Sequence, residues 1–295
     1  MRTLIIGATG LVGQALMAHY RAKPDPGHEV IGVGSADADI RDQQAVDQLI
    51  ERHRPDWTVI AAAIADVDVC EREPERAHAV NTLGPFYVAR ACRQVGSRLL
   101  SISTDYVFDG KSNVPYEPED TVNPLSTYGR SKVAGEEVVL KELPQACVVR
   151  TSWVFGLARP TLPAAILEQA ERGSEVSVVS EQTSAPTYAP DLAAMLDQLM
   201  YANAQGTLHA AGANGCTRME WAQEILRLVG KADLPVRAVT LAQLNRPAPR
   251  PHYTVLSTTC LAQFGIQPRP WQKTLVDYLA ARQQMASTGK PSAAK

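Results

Sequence analysis

"TLIIGATGLVGQALMAHY", residues 3 to 20, decides the fold. "TLII" is short, apolar and β-branched, which reads as a strand buried on both faces. It runs directly into Gly7, Gly10 and Gly13, spaced G-x-x-G-x-x-G, and then into a helix. Strand, glycine turn and helix in that order form the setting a dinucleotide-binding loop requires. One glycine permits the tight turn, and another lets backbone N–H groups approach a pyrophosphate at the positive end of the helix. The third lets the helix lie close on the sheet. The glycines alone fit a purely structural turn equally well, so the rest of the chain must decide.

Outward from this loop the rhythm repeats. "HEVIGV" (28–33), "WTVIAAA" (57–63), "RLLSIST" (98–104) and "ACVVRTSWVFG" (146–156) read as further strands. Helices are expected over 42–53, with Ala45, Val46, Leu49 and Ile50 on one face, and over 75–96. This alternation predicts an α/β fold, a Rossmann-type doubly wound parallel sheet with helices on both faces. After residue 157 the rhythm breaks. "EVSVVS" (175–180) and "GTLHAAG" (206–212) are short strand candidates, and helices are expected at 161–172, 190–202, 217–229 and 271–284. The reading is a cofactor domain over 1–157 and a smaller C-terminal α+β substrate lobe over 158–285, with 175–203 packing back on the first. Residues 286–295 are small and polar and read as a disordered tail.

Composition narrows the function. The chain has 295 residues, 45% hydrophobic and 20% charged, with a formal net charge of −2. That balance gives no electrostatic case for nucleic acid or an anionic membrane. No apolar run approaches the roughly 18 residues of a membrane span, and the N-terminus enters a strand at once, with no signal peptide. The five cysteines are scattered and odd in number, as in reduced thiols of a cytoplasmic protein. The six histidines form no metal-spaced cluster.

The chemistry gathers at two places. "STDYVFDG" ends the fourth strand with Ser103, Thr104 and Asp105, and strand ends in such sheets are where ligands sit. "STYGRSKVAGEE" (126–137) sets Tyr128 four residues before Lys132, on one face of a helix. An isolated Y-x-x-x-K is usually a solvated surface pair. Beside a glycine loop and a strand-end threonine it resembles the layout of a short-chain dehydrogenase. Hydride transfer to a ketone leaves an alkoxide that needs a proton. A phenol of pKa about 10 is a poor donor at neutral pH unless a nearby cation lowers it. Lys132, together with the nicotinamide's charge in NAD(P)⁺, is expected to do so. Thr104 and Tyr128 would hold the carbonyl oxygen between them, and Lys132 would also bond the nicotinamide ribose.

Candidate cofactor contacts are Gly7, Thr9, Gly10, Leu11 and Val12 in the loop, Ser35, Asp39 and Ile40 after the second strand, and Ala61, Ala62 and Ala63 at the third. Ser103, Tyr128 and Lys132 complete the set. Strand two ends in Gly34 and Ser35 without an immediate carboxylate, so nothing there repels a 2′-phosphate. Arg41 either adds charge or faces solvent. NADP is therefore favoured, with NAD compatible.

"GATGLVGQAL", "VDVCEREPERAHAVNTLGP", "STDYVFDG", "PYEPEDTVNPLSTYGRSKVAGE", "VVRTSWVFG", "APTYAPDLA" and "RPHYTVLST" together span nearly the whole chain. In them the sequence resembles the dTDP-4-dehydrorhamnose reductase family, a branch of the extended short-chain dehydrogenases. The resemblance implies an NAD(P)H-dependent oxidoreductase that reduces the 4-keto group of a dTDP-linked 6-deoxyhexose, making dTDP-L-rhamnose for surface polysaccharide. It implies Thr104, Tyr128 and Lys132 as the catalytic trio, and Asp105 and Tyr106 beside the sugar. Trp153 becomes an aromatic platform under the hexose, or else a core residue. Gln182, Thr187 and Arg250 fall in the nucleotide-sugar region, where a guanidinium suits phosphate and a solvated loop arginine is the alternative. Asn81 is either a neighbour of the catalytic group or a local cap. A homodimer is compatible with the family. Some of its members hold magnesium at a dimer interface, but no ligand set here matches, so no metal is expected. One departure stands out: Ile64 and Ala65 occupy places where the family carries ring or hydroxyl donors, with Asp66 the candidate substitute. Asp68 and Glu71 keep the acidic pattern that follows.

Rival readings remain open. A dehydratase needs an acid where this chain has Tyr106, which counts against it. A nucleotide-sugar epimerase shares the fold. A non-catalytic regulatory subunit, like the beta subunit of methionine adenosyltransferase, belongs to the same branch.

Overall fold

A computed structural model describes residues 1–287. At its centre is a six-stranded, wholly parallel sheet. In chain order the elements of the first half are β1 (Arg2–Ile6), α1 (Leu11–Ala22), β2 (Glu29–Val33), α2 (Gln43–His53), β3 (Trp57–Ile60), α3 (Val67–Arg72), α4 (Pro74–His78), α5 (Gly84–Val95), β4 (Arg98–Thr104), α6 (Thr127–Glu142), β5 (Cys147–Thr151) and β6 (Val154–Phe155). There follow α7 (Leu162–Glu171), β7 (Val176–Val179), β8 (Thr183–Ser184), β9 (Thr187–Tyr188), α8 (Ala189–Tyr201), β10 (Gly206–His209), β11 (Cys216–Thr217), α9 (Arg218–Leu228), β12 (Val236–Val239), α10 (Leu241–Leu244) and α11 (Trp271–Ser287). The sheet order is β10-β5-β4-β3-β1-β2. The direction of winding reverses between β1 and β3, and the crevice at the carboxyl ends of those strands opens there.

Alternation along the strands feeds two cores. Leu4 and Ile6 face Val46 and Ile50 of α2, Val88 and Cys92 of α5, and Val139 of α6. Ile5 between them faces Leu16 of α1 and Leu192 and Leu196 of α8. A third core gathers Phe155, Ile166, Trp221, Ile225, Trp271, Leu275 and Tyr278 from C-terminal segments. Burying each such side chain contributes about 1.5–3 kcal/mol.

Four expectations change. The strand expected over 57–63 ends at Ile60, and the run over 146–156 is two strands. Trp153 breaks that run with a φ of 38°, in the left-handed region, and turns β6 away to pair with β9. The helix expected over 75–96 is interrupted by a π-helical turn at Ala79–Leu83. Pro85 has no N–H to give the Asn81 carbonyl four residues earlier, and that carbonyl lies against Gly135 of α6. Segment 206–212 returns to the central sheet as β10. Of 175–203, α8 shares a core with α1 while β7 pairs with β12. The expected tail begins inside α11, and residues 288–295 lie outside the described residues. No helix among the described residues is long and apolar enough to cross a membrane. All five cysteines are free.

Candidate active site

The glycine loop is built by backbone contact. Gly7 has a φ of 91°, and a Cβ there would stand 2.5 Å from the Ala62 nitrogen. A Cβ on Gly13 would stand 2.1 Å from the Gly7 carbonyl oxygen. Gly10 caps α1 in extended conformation, with no side chain on the first-turn N–H groups and no acid among them. Leu11 and Val12 form the half-buried first turn. The open positive end of α1 over side-chain-free backbone fits the pyrophosphate of a dinucleotide.

At the end of β2 the picture differs from expectation. Asp37 folds back, and its carboxylate accepts from the Gly34 N–H at 2.7 Å. A negative group does stand at the strand end. Arg41 is engaged by Asp39 through a forked ion pair. Ile40 is a core residue packed on Gly84. Ser35 and Ala63 are exposed, and the Thr9 methyl lies over Gly34.

The sheet edge and α6 bring Thr104, Tyr128 and Lys132 together. Ser126 caps α6 by accepting from the Gly129 N–H, and Glu71 accepts from the Thr127 N–H at 2.8 Å. Gly129 and Gly135 let α6 press on the carbonyls of Tyr106 and Asn81. Tyr128, Lys132 and Glu136, four residues apart, line its buried face. Thr104 lies close enough to favour the Tyr128 phenolate, and its own hydroxyl donates to Asp105 at 3.1 Å and accepts from the Tyr106 N–H. Burial pushes the Tyr128 phenol above its ordinary pKa, and Asp105 adds to the rise. Desolvation of the phenolate outweighs the downward pull of Thr104. Lys132 donates to the Ile102 carbonyl at 2.8 Å. Burial pushes it down to about 8, with Glu136 pulling upward. Glu136 is forked onto Arg150 and accepts from Ser103, so the Ser103 hydroxyl is already committed.

The remaining candidates divide. Tyr106 is half-buried, its ring edge-on to Tyr128 at 5.9 Å. Asp105 does not open on the cleft: it is 2% exposed and takes the hydroxyls of Thr104, Ser184 and Thr254. Burial raises it to about 6. Gln182 is buried, bridging the Pro251 carbonyl and Arg218. Thr187 is fully buried and bonds Ala185 and Gly212. Trp153 lies nearly parallel to Trp221, at 5.8 Å and 17°, with the Arg218 guanidinium 4.2 Å from its ring centre. Arg250 is no solvated loop residue: it pairs with Asp68 at 2.8 Å and donates to the Ala248 carbonyl. The Asn81 amide clamps both backbone groups of Ile64 and reaches Ser131, which bonds the Tyr128 carbonyl. Ile64 packs beside Tyr128 and Cys70, while Asp66 caps α3. Among the described residues no group of three or more His, Cys, Asp or Glu could hold a metal.

Three residues the sequence reading missed belong to this site. Asp68 pins the 246–250 segment, Glu136 backs Lys132, and Arg218 covers Trp153. Only Asp68 carried a signal, as part of the acidic pattern.

Residues 1–284 match the family described as the RmlD substrate binding domain. A dTDP-4-dehydrorhamnose reductase of Mycolicibacterium smegmatis is 41% identical over 284 residues, 95% of this chain and 85% of that protein. A dTDP-4-dehydrorhamnose reductase of Clostridium acetobutylicum superposes with a TM-score of 0.91 at 33% identity, covering 96% of this chain and 100% of the other. One from Bacillus anthracis, solved in complex with NADP, gives 0.89 at 29% identity, covering 95% and 99%. The chain belongs to the RmlD family, that of the dTDP-4-dehydrorhamnose reductases.

Proposed function

We propose that the chain reduces the 4-keto group of a dTDP-linked 6-deoxyhexose, dTDP-4-dehydro-L-rhamnose becoming dTDP-L-rhamnose with NADPH as reductant. The observation that carries this is the placement of Tyr128 and Lys132 on the buried face of α6 together with the buried strand-end Thr104. When bound on the Gly7–Gly13 loop, NADPH supplies the hydride. The chain's own residues do the rest. Thr104 and Tyr128 hold the carbonyl oxygen, and Tyr128 gives its proton to that oxygen as it becomes an alkoxide. The Lys132 ammonium favours the phenolate left behind. Tyr106 lines the sugar site, with Gln182 behind it. Asp37 at the strand end leaves NADH as a second donor.

In this reading residues 1–157, together with α8 and β10, hold the cofactor, and most of 158–285 shapes the sugar site. A cytoplasmic location follows, because both substrates are polyanions that do not cross a bilayer unaided. A homodimer completes it. The test is oxidation of NADPH and NADH with dTDP-4-dehydro-L-rhamnose, with the product identified by NMR. A dTDP-L-rhamnose product is expected. A chain that binds NADPH yet reduces no 4-keto nucleotide sugar would sink the reading.

A further inference from the structure

Arg218 is the unusual cation of the cleft. It is half-buried, and among the described residues it forms no ion pair. Its Nε donates to the Gln182 side-chain oxygen at 3.0 Å, and its guanidinium lies over Trp153. A guanidinium taken out of water is costly without an anion, and an indole face offsets only part of that. Its surroundings add to the imbalance. Arg250 lies close enough that its charge, after burial itself, holds the Arg218 pKa below the ordinary value. Arg246 and Arg250 share the single carboxylate of Asp68. Tyr106 and Asp105 pull the other way, but the Asp105 oxygens are taken by three hydroxyls. Arg218 therefore stands near a second guanidinium, Arg250, whose only ion-pair partner among the described residues, Asp68, is shared with Arg246. Beneath Arg218, Trp153 sits at a φ of 38°, a conformation that costs a bulky residue energy and gathers at ligand sites.

We propose that Arg218, stacked on Trp153 and held by Gln182, takes the diphosphate of the nucleotide sugar, with Arg250 and Arg246 completing the positive charge. This rests on the nucleotide-sugar reading above and adds where the phosphates are gripped. It also changes the role of Trp153. The ring is first a seat for Arg218, and the sugar contacts it only where the guanidinium leaves it free. Arg250, already bonded to Asp68, is the weaker phosphate contact of the two.

The test separates charge from shape. Binding of dTDP and of thymidine is measured by calorimetry for the wild type, Arg218→Met and Arg218→Lys, with NADPH titration and thermal melting alongside. Arg218→Met should weaken dTDP about 10–100-fold, the loss expected for one charge-assisted contact. Thymidine and NADPH should bind as before, KM for the sugar nucleotide should rise, and Arg218→Lys should recover part of the loss. Equal weakening of dTDP and thymidine would make Arg218 a mere support of the Trp153 wall and overturn the proposal. Unchanged dTDP affinity would overturn it too. If Arg218→Met does not fold, Arg218→Lys decides by the same dTDP-to-thymidine ratio. If the wild type binds UDP or GDP instead of dTDP, the same variants are read against that nucleotide. A selective loss there upholds Arg218 while refuting the thymidine nucleotide. A chain binding no nucleoside diphosphate refutes both.

Discussion

In the proposed function the loop at residues 7–13 and the cleft wall at residues 182–254 each face an anionic ligand, and they are built by opposite means. In the loop the work is done by what is missing. Gly7 and Gly13 let backbone touch backbone, and α1 presents uncapped N–H groups. In the wall the work is done by long side chains reaching across the chain. Arg250 meets Asp68 from 182 residues away, and Gln182 meets Pro251. A backbone cradle tolerates almost no substitution. A side-chain wall tolerates many and can be retuned, which suits a region that must read one sugar among several.

That contrast can be broken most directly with Gly13→Ala. Overpacking by one methyl usually costs about 1–3 kcal/mol where neighbours can yield. Here the new Cβ meets a carbonyl oxygen of the loop itself at 2.1 Å, so the cost exceeds that range. NADPH binding should be lost while dTDP binding persists. Wild-type NADPH affinity in this variant would show that the loop is far softer than its geometry indicates.

A smaller effect sharpens the contrast at the seam between the regions, where two buried groups titrate in opposite senses. Burial raises Asp105 to about 6, above its unfolded value of about 3.9. Its contribution is full below about pH 3.9 and is lost as pH rises through 6. Burial and Arg150 hold His209 down at about 4, below an unfolded value of about 6.5. Its contribution is present above about pH 6.5 and is lost as pH falls through 4. Each is worth at most about 3 kcal/mol. Between these limits the two oppose, so wild-type stability should change little. Asp105→Asn should lose stability as pH falls from about 6.5 to 4, and His209→Gln as it rises over the same range. Urea midpoints across pH check this, and a flat profile in both variants would contradict it.

Legibility follows the same division. The strand–loop–helix run at residues 3–20 and the Tyr128–Lys132 spacing are local patterns, so composition and periodicity reveal them. What Trp153 does is not local. Its left-handed φ and its cover by Arg218 depend on α9, far along the chain. Asp37 was overlooked because a carboxylate three residues past Gly34 reaches back only through a turn. The interruption at Ala79–Leu83 needed both Pro85 and the pressure of Gly135 from another helix. Spacing reveals the proximity of Tyr128 and Lys132 and says nothing of desolvation, which raises the Tyr128 pKa.

The most direct measurement is single-turnover reduction by Tyr128→Phe, with NADPH and dTDP affinities determined in parallel. Phenylalanine keeps the ring that packs beside Ile64 and Tyr106 and removes only the proton and its oxygen. The account predicts a rate lower by about 10²–10⁴, the usual worth of general acid catalysis, with both affinities near wild type. A Tyr128→Phe enzyme turning over at close to the wild-type rate would show that the proton comes from elsewhere, and the assignment of this cleft would fall with it.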